Sequence, residues 1–390
     1  MNKIEWSGKT YNYSKKEINY ISKVIQKSKT FTQGEQQKKF ENNLRKYLKK
    51  KTVFSVSSAA SALEIIASLL KIKKGDEIII PAHTYCASAI PFARNGAKII
   101  WADINKDRVI DIDDIQKKIT KKTKAIVIVH LYGFCSNVSK IKKKINKKIK
   151  IIEDCAQAFG SMINGKMAGT MSDYGCFSFH SQKNITTLGE GGAIYVKSIS
   201  EANKIPGLRH NGHCNFSSTR KEYWLPAMGN LSEDLKGKWP FKFTLSEIQC
   251  AAGILGLKKV NKYNQIRIKR AKLFIDRLSN IQELEFTKYF KKKRHVYHLL
   301  VAKCKKNSFF SRDDLIKKLY EKYNIKCIIQ YYPLYKYDLF KKKGLGFAKC
   351  RSTENFYNNM ISFPFHIHMS DKNFDYMVES VKKCIQELKK

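Results

Sequence analysis

A chain of 390 residues, 43% hydrophobic and 12% aromatic, can bury a large core and divide into two or three domains, which excludes a disordered polymer. Its longest apolar runs, such as Ala125–Val129 and Ile78–Ile80, are far too short to cross a bilayer, and the opening MNKIEWSGKTYNYSKKE has no apolar signal core. A cytoplasmic protein without membrane contact is therefore expected. The formal charge of +42, from 75 Lys and Arg against 33 Asp and Glu, raises a nucleic-acid-binding or regulatory reading. The lysines, however, are spread along the chain, in Lys49–Lys51, Lys142–Lys144, Lys291–Lys293 and Lys341–Lys343, whereas nucleic-acid binders gather them into a patch with aromatics. They read as solvated faces, with attraction of anionic substrates as the weaker alternative, and no nucleic-acid partner is expected.

In chain order, short β-branched runs alternate with amphipathic stretches from about residue 52 to 196. The spacing predicts strands at Thr52–Val56, Glu77–Pro81, Lys98–Ala102, Lys124–Val129, Lys150–Glu153, Gly175–Phe179 and Gly192–Val196, the pattern of a mostly parallel sheet covered by helices. Ala59, Ala62, Leu63 and Ile66 share a face and predict a helix capped by Ser57 or Ser58. Residues 246–284 read as helical. Beyond them, strands at Tyr297–Ala302 and Ile325–Ile329 and helices at Arg312–Lys322 and Asp371–Leu388 predict a smaller α/β domain. The expected fold class is α/β, with domains 1–260 and 261–390 and a long helix at the boundary. The ten cysteines show no CxxC pair and read as free thiols. His210, His213 and Cys214 have metal-like local spacing but lack a second pair of ligands, so no metal is expected.

The chemistry concentrates in Ile151–Val196. Asp154 and Gln157 follow one predicted strand, and Ser178 and Lys183 follow the next, at the edge where open parallel sheets present ligand-binding groups. Gly189–Glu190–Gly191–Gly192 then allows a tight turn into another strand. A carboxylate, a hydroxyl and a lysine at such strand ends suit a cofactor with a basic ring nitrogen, a phosphate and an aldehyde, as in pyridoxal 5'-phosphate. Singly each is uninformative, because an aspartate after a strand is commonly a helix cap and lysines are abundant here. Order and spacing carry the reading.

These motifs, densest in EDCAQAFG and CFSFHSQKNITTLGEGG and extending from Thr32–Gly34 and Phe40–Glu41 to Phe363–Pro364, resemble the sugar-nucleotide aminotransferases of the DegT/DnrJ family. The resemblance implies the type I aspartate-aminotransferase fold and a homodimer with active sites shared at the subunit interface. It implies Lys183 as the catalytic lysine that holds the cofactor covalently, Asp154 against the pyridine nitrogen, Gln157 near the phenolic oxygen, and Ser178 on the phosphate. Tyr85, in PAHTYCAS, matches the aromatic that stacks on the ring. Ser58–Ala59–Ala60 matches the phosphate-binding helix start, where the usual Gly-Thr pair is replaced by Ala59–Ala60 and a hydroxyl contact is lost. Lys242 stands where the family has an asparagine that reaches the partner's phosphate, and it could serve there as a point charge. His180, in the family's aromatic position, is expected to pack beside the cofactor without acting as a base. Glu190 either contacts substrate or stabilises its turn.

The implied reaction moves an amino group from glutamate to a nucleotide-linked keto-sugar, giving an amino-deoxy sugar for surface polysaccharide or glycoconjugate. A pyridoxamine-phosphate sugar dehydratase is the nearest rival, but those enzymes carry histidine in place of the lysine. A cyclitol transaminase of the same fold is a further alternative. The segment His213–Pro240 contains Arg220, Tyr223, Trp224 and Trp239, which are expected to close over the sugar nucleotide, Arg220 on phosphate and Trp224 by stacking.

Overall fold

The computed structural model describes residues 3–8, 10–214, 230–231, 239–287, 293–305 and 309–389. The seven predicted runs become β1 (Val53–Val56), β2 (Glu77–Pro81), β3 (Lys98–Ala102), β4 (Thr123–Val129), β5 (Lys150–Asp154), β6 (Tyr174–Ser178) and β7 (Gly192–Val196). They form one 7-stranded sheet in the order β1-β7-β6-β5-β4-β2-β3. Strands β2 to β6 pair in parallel, and β7 pairs antiparallel with both β6 and β1. The ends of β1, β5 and β6 and the start of β7 therefore lie along one edge.

Side chains alternate between two covered faces. Ile78, Ile80, Val127 and Val129 pack with Leu63, Ile65 and Ile66 of the helix Ala59–Leu69, while Ile79, Ile126, Ile128 and Ile151 pack with Val138 and Ile141 on the other side. Burial on both faces explains why these strands read as continuous apolar runs. Each fully buried isoleucine contributes roughly 1.5–3 kcal/mol. The helix Ala59–Leu69 starts where expected because Ser58 is extended and its hydroxyl accepts the Ser61 N–H at 3.0 Å.

A long helix, Glu247–Arg277, begins at a Ser246–Gln249 capping box and connects two cores. Its first turns bury Cys250, Ile254 and Val260 with Phe40, Phe177 and Phe179. Its last turns bury Ala271 and Phe274 with Leu315, Phe363 and Met377. That second core lies under the antiparallel strands β8 (Leu284–Phe286), β9 (Leu300–Cys304) and β10 (Met360–Phe363), with helices Arg312–Tyr323 and Asp371–Leu388. Two expectations shift here. Strand β9 starts at Leu300 rather than Tyr297, because Tyr297 has a left-handed backbone (φ 46°) and the neighbouring N–H groups of Val296 and His298 bond to Gly133 and Tyr132 carbonyls. The expected strand Ile325–Ile329 is instead two isolated bridges, Ile4 to Ile325 and Ile328 to Ser362, since its ends meet different partners. Among the described residues no helix is long and apolar enough to cross a membrane.

Candidate active site

Parallel neighbours end together, so the turns after them face the same space. Strand β5 ends on Asp154, which is buried; its Oδ2 accepts the Ser88 hydroxyl at 2.7 Å and its Oδ1 the Ala156 N–H at 3.0 Å. Gln157 is held at both ends of its amide. Its oxygen accepts the Tyr132 N–H at 2.8 Å, and its nitrogen donates to the Tyr331 hydroxyl at 2.7 Å. The Tyr331 ring is parallel to Tyr132 (centroids 6.4 Å apart, 9°) and meets Tyr85 at 6.3 Å and 62°. Tyr85 is 59% exposed, which leaves much of its ring surface open. Behind this layer, the Tyr132 hydroxyl donates to the Gln330 carbonyl at 2.8 Å and lies 2.7 Å from His83 Nε2. Burial pushes the His83 imidazole down to about 3, so it is neutral and donates through Nε2.

Strand β6 ends on Ser178, whose Oγ accepts the His180 N–H at 3.3 Å and donates to no group among the described residues. Across the sheet, Ser178 pairs with Gly192 and Gly192 with Val56. A Cβ on Gly192 would lie 2.4 Å from the Ser58 carbonyl carbon and 2.7 Å from the Ala59 nitrogen. Glycine is thus what lets the helix start sit against the strand end. The first N–H groups of that helix, on Ala59 and Ala60, have no intrahelical partner, and such groups bind anions.

Lys183 lies in the turn after β6, with its N–H donating to the His180 carbonyl at 2.9 Å. It is half-buried, and among the described residues its ammonium has no hydrogen bond or ion pair. Burial lowers its pKa, and the charges of Asp154 and Glu190 offset that only in part. More of the lysine is then the neutral, nucleophilic amine at a given pH. The next residue pins the turn: Asn184 donates to Asn264 Oδ1 of the long helix at 2.9 Å, and its Oδ1 is 3.2 Å from His298 Nδ1.

The remaining expected residues are placed as follows. Glu190 is anchored by its backbone carbonyl, which accepts from Thr187 Oγ1 at 2.7 Å and Gln249 Nε2 at 2.8 Å, while its exposed carboxylate lies 3.7 Å from His180 Nε2. Lys242 is not brought to Ser178 or Ser58 within the chain; its Nζ is 2.7 Å from His210 Nδ1, and His210 Nε2 is 2.7 Å from Gln33. Arg220 and Trp224 lie outside the described residues. His130, Glu153 and Cys155 are buried and close enough to share a metal, but hydrogen bonds already account for the His and Glu. Glu153 accepts from Gly169, Met171 and Ser172, and His130 Nδ1 accepts the Ser136 N–H. Ser88, Tyr331, His298 and Arg267 belong to the site region and were not expected. A hydroxyl one helical turn after Tyr85 was the only sequence signal for Ser88, and the others have none.

An oriented carboxylate, an unpaired amine, and a hydroxyl flanked by free N–H groups fit the ring nitrogen, aldehyde and phosphate of pyridoxal 5'-phosphate. Comparison with known proteins agrees. The DegT/DnrJ/EryC1/StrS aminotransferase family matches residues 12–382. The dTDP-3-amino-3,6-dideoxy-alpha-D-galactopyranose transaminase of Aneurinibacillus thermoaerophilus is 31% identical over 376 residues, 94% of this chain and 95% of that protein. The UDP-4-amino-4,6-dideoxy-N-acetyl-beta-L-altrosamine transaminase of Campylobacter jejuni is 28% identical over 389 residues, 97% of each. The putative sugar aminotransferase Spr1654 from Streptococcus pneumoniae, solved in PMP and PLP forms, superposes in its PMP form with a TM-score of 0.88 at 25% identity, covering 98% of this chain and 99% of that one. This chain belongs to the DegT/DnrJ/EryC1/StrS aminotransferase family and is a pyridoxal-phosphate-dependent aminotransferase of that fold.

Proposed function

We propose that the chain transfers an amino group from glutamate to a nucleotide-linked keto-sugar, yielding an amino-deoxy sugar for surface polysaccharide or glycoconjugate. The observation that carries this reading is the unpaired amine of Lys183, in the field of Asp154, at the sheet edge that also holds Ser178 and the Ala59–Ala60 helix start. The transaminase activities of the relatives on dTDP- and UDP-linked sugars support the substrate class.

When bound, pyridoxal 5'-phosphate supplies an electron sink for the carbon that loses its proton. Asp154 would hold the ring nitrogen protonated, and the Ser88 and Ala156 hydrogen bonds fix the direction of its carboxylate. Gln157 would sit at the phenolic oxygen and Tyr85 on the ring face. Ser178 and the N–H groups of Ala59 and Ala60 would hold the phosphate, with Ser58 serving as the helix cap. Lys183 would anchor the cofactor through its amine and, when that amine is free, would hold and move a proton at Nζ. Glu190 and the residues Arg220 and Trp224 would face the sugar nucleotide.

In this reading the protein is cytoplasmic and a homodimer, with Lys242 reaching the partner's phosphate, and its domains are 1–260 and 261–390. The exposed position of Lys242 beside His210 and the two cores joined by the long helix support the last two points. Lys183 weighs against the dehydratase reading. The test is a glutamate-dependent screen of nucleotide keto-sugars with products identified by mass and NMR; an amino-deoxy sugar is expected, and a deoxygenated sugar without nitrogen would overturn the proposal. For the shared site, dimers mixed from Lys183→Ala and Lys242→Ala chains should regain turnover, whereas demonstrably mixed dimers without activity would exclude it.

A further inference from the structure

Four arginines among the described residues are buried: Arg108, Arg209, Arg267 and Arg312. Three of them hold carboxylates, Arg108 that of Glu285, Arg209 that of Glu41 and Arg312 that of Asp313. Arg267, 2% exposed on the long helix, holds none. Among the described residues its one hydrogen bond is a 3.4 Å contact from Nη1 to the His298 carbonyl and its Nε has no partner, while its guanidinium lies 5.7 Å from the Phe365 ring centroid. Burial alone draws its pKa down to about 10. A buried cation left without an anion is costly, and removing water from it without compensation costs several kcal/mol.

Arg267 lines a narrow cavity that Lys183 also lines, together with His298, Gln330, Phe365 and His366. Two further buried polar atoms of this cavity, Gln330 Oε1 and His366 Nδ1, are likewise without partners. An open guanidinium Nε, an amide oxygen and an imidazole nitrogen beside a reactive amine describe a pocket for a small polar molecule that carries an anionic group. The phosphate cradle at Ala59, Ala60 and Ser178 is made of different groups. Lys183 lines this cavity, so an amine that reaches Lys183 from it brings its neighbouring groups past Arg267, and in an amino acid the carbon bearing the amine also bears a carboxylate.

We propose that Arg267 anchors a carboxylate of the amino donor through its planar fork, with Gln330 Oε1 accepting a hydrogen bond from the donor's nitrogen. This rests on the aminotransferase reading with an amino-acid donor. The other anion source is the diphosphate of the sugar nucleotide, and the experiment separates the two. Holoenzyme of the wild type, Arg267→Gln and Arg267→Lys is compared in three measurements. These are binding of glutarate, which carries carboxylates and no amine, by calorimetry; the glutamate half-reaction by cofactor absorbance; and the return half-reaction with the keto-sugar nucleotide.

Arg267→Gln should weaken glutarate and glutamate binding at least about tenfold and leave the keto-sugar half-reaction within about twofold. Arg267→Lys, which keeps the charge without the fork, should fold like the wild type and fall between the two. Equal glutarate affinity in wild type and a folded variant overturns the proposal, and so does a loss confined to the keto-sugar half-reaction, which would give the arginine to the diphosphate. Should Arg267→Gln not fold, unchanged glutarate affinity in Arg267→Lys is the overturning result. Failure of the aminotransferase reading is a separate result, a wild-type cofactor spectrum that no amino acid changes.

Discussion

The edge of the large sheet and the cavity beside the long helix treat polar groups in opposite ways. At the edge, Asp154 has partners on both oxygens and Gln157 on both ends of its amide. In the cavity, Arg267, Gln330 and His366 each keep a buried atom with no partner among the described residues. Groups that orient a permanently held cofactor gain from being fixed before it binds, since misplacement by about 1 Å can cost on the order of 10²-fold in rate. Groups for a substrate that enters and leaves must hold their hydrogen bonds open. Asp154 and Gln157 are thus fixed in direction by the protein alone, whereas Arg267, Gln330 and His366 keep atoms open to an incoming partner.

That contrast can be tested from its strongest point downward. Lys183→Ala removes the amine that both halves depend on; the visible cofactor band should vanish and turnover fall by at least about 10⁴-fold, read by absorbance and coupled assay. A folded variant with full turnover would break the contrast altogether. Asp154→Asn keeps the shape and the Ser88 contact but loses the charge, so cofactor should remain in part while kcat falls about 10²-fold or more. Near-normal kinetics at confirmed cofactor occupancy would remove Asp154 from its role.

Tyr331→Phe leaves the buried Gln157 N–H without its acceptor, a loss of about 1–3 kcal/mol. Cofactor affinity measured by titration should drop roughly tenfold; unchanged affinity would mean that the amide needs no fixing. The smallest effect concerns His83, whose imidazole is depressed from 6.5 to about 3 by burial. The unfolded chain binds this proton first, so the stabilisation is complete above about pH 6.5 and is lost as pH falls toward 3. Its share of the slope is about 1.4 kcal/mol per pH unit. Urea unfolding at about pH 6 and 5 should give a shallower slope in His83→Gln, and equal slopes would contradict the assignment.

The two regions also differ in how far they could be read from residue order. Strands buried on both faces are written as apolar runs, so all seven were placed within about one residue of their ends, and Asp154 and Ser178 close two of them, with Gln157 and Lys183 in the turns that follow. The opposite run of β7 followed from no pattern, because pairing direction depends on the connection and not on side-chain alternation. The cavity was invisible for a different reason. Arg267, His298, Gln330 and His366 come from separate segments that meet only in the folded chain, and one arginine among 75 cations carries no signal until burial distinguishes it. Ser88, 66 positions from Asp154, was hidden in the same way.

The central claim is that one lysine-anchored cofactor passes between two forms by accepting and giving up an amino group. It is tested most directly by adding glutamate alone to the cofactor-loaded protein and following absorbance. The account predicts that the visible band is lost with formation of one equivalent of 2-oxoglutarate, and that it returns when a nucleotide keto-sugar is added. A band that glutamate and other amino acids leave unchanged, in protein shown to hold the cofactor on Lys183, would contradict it.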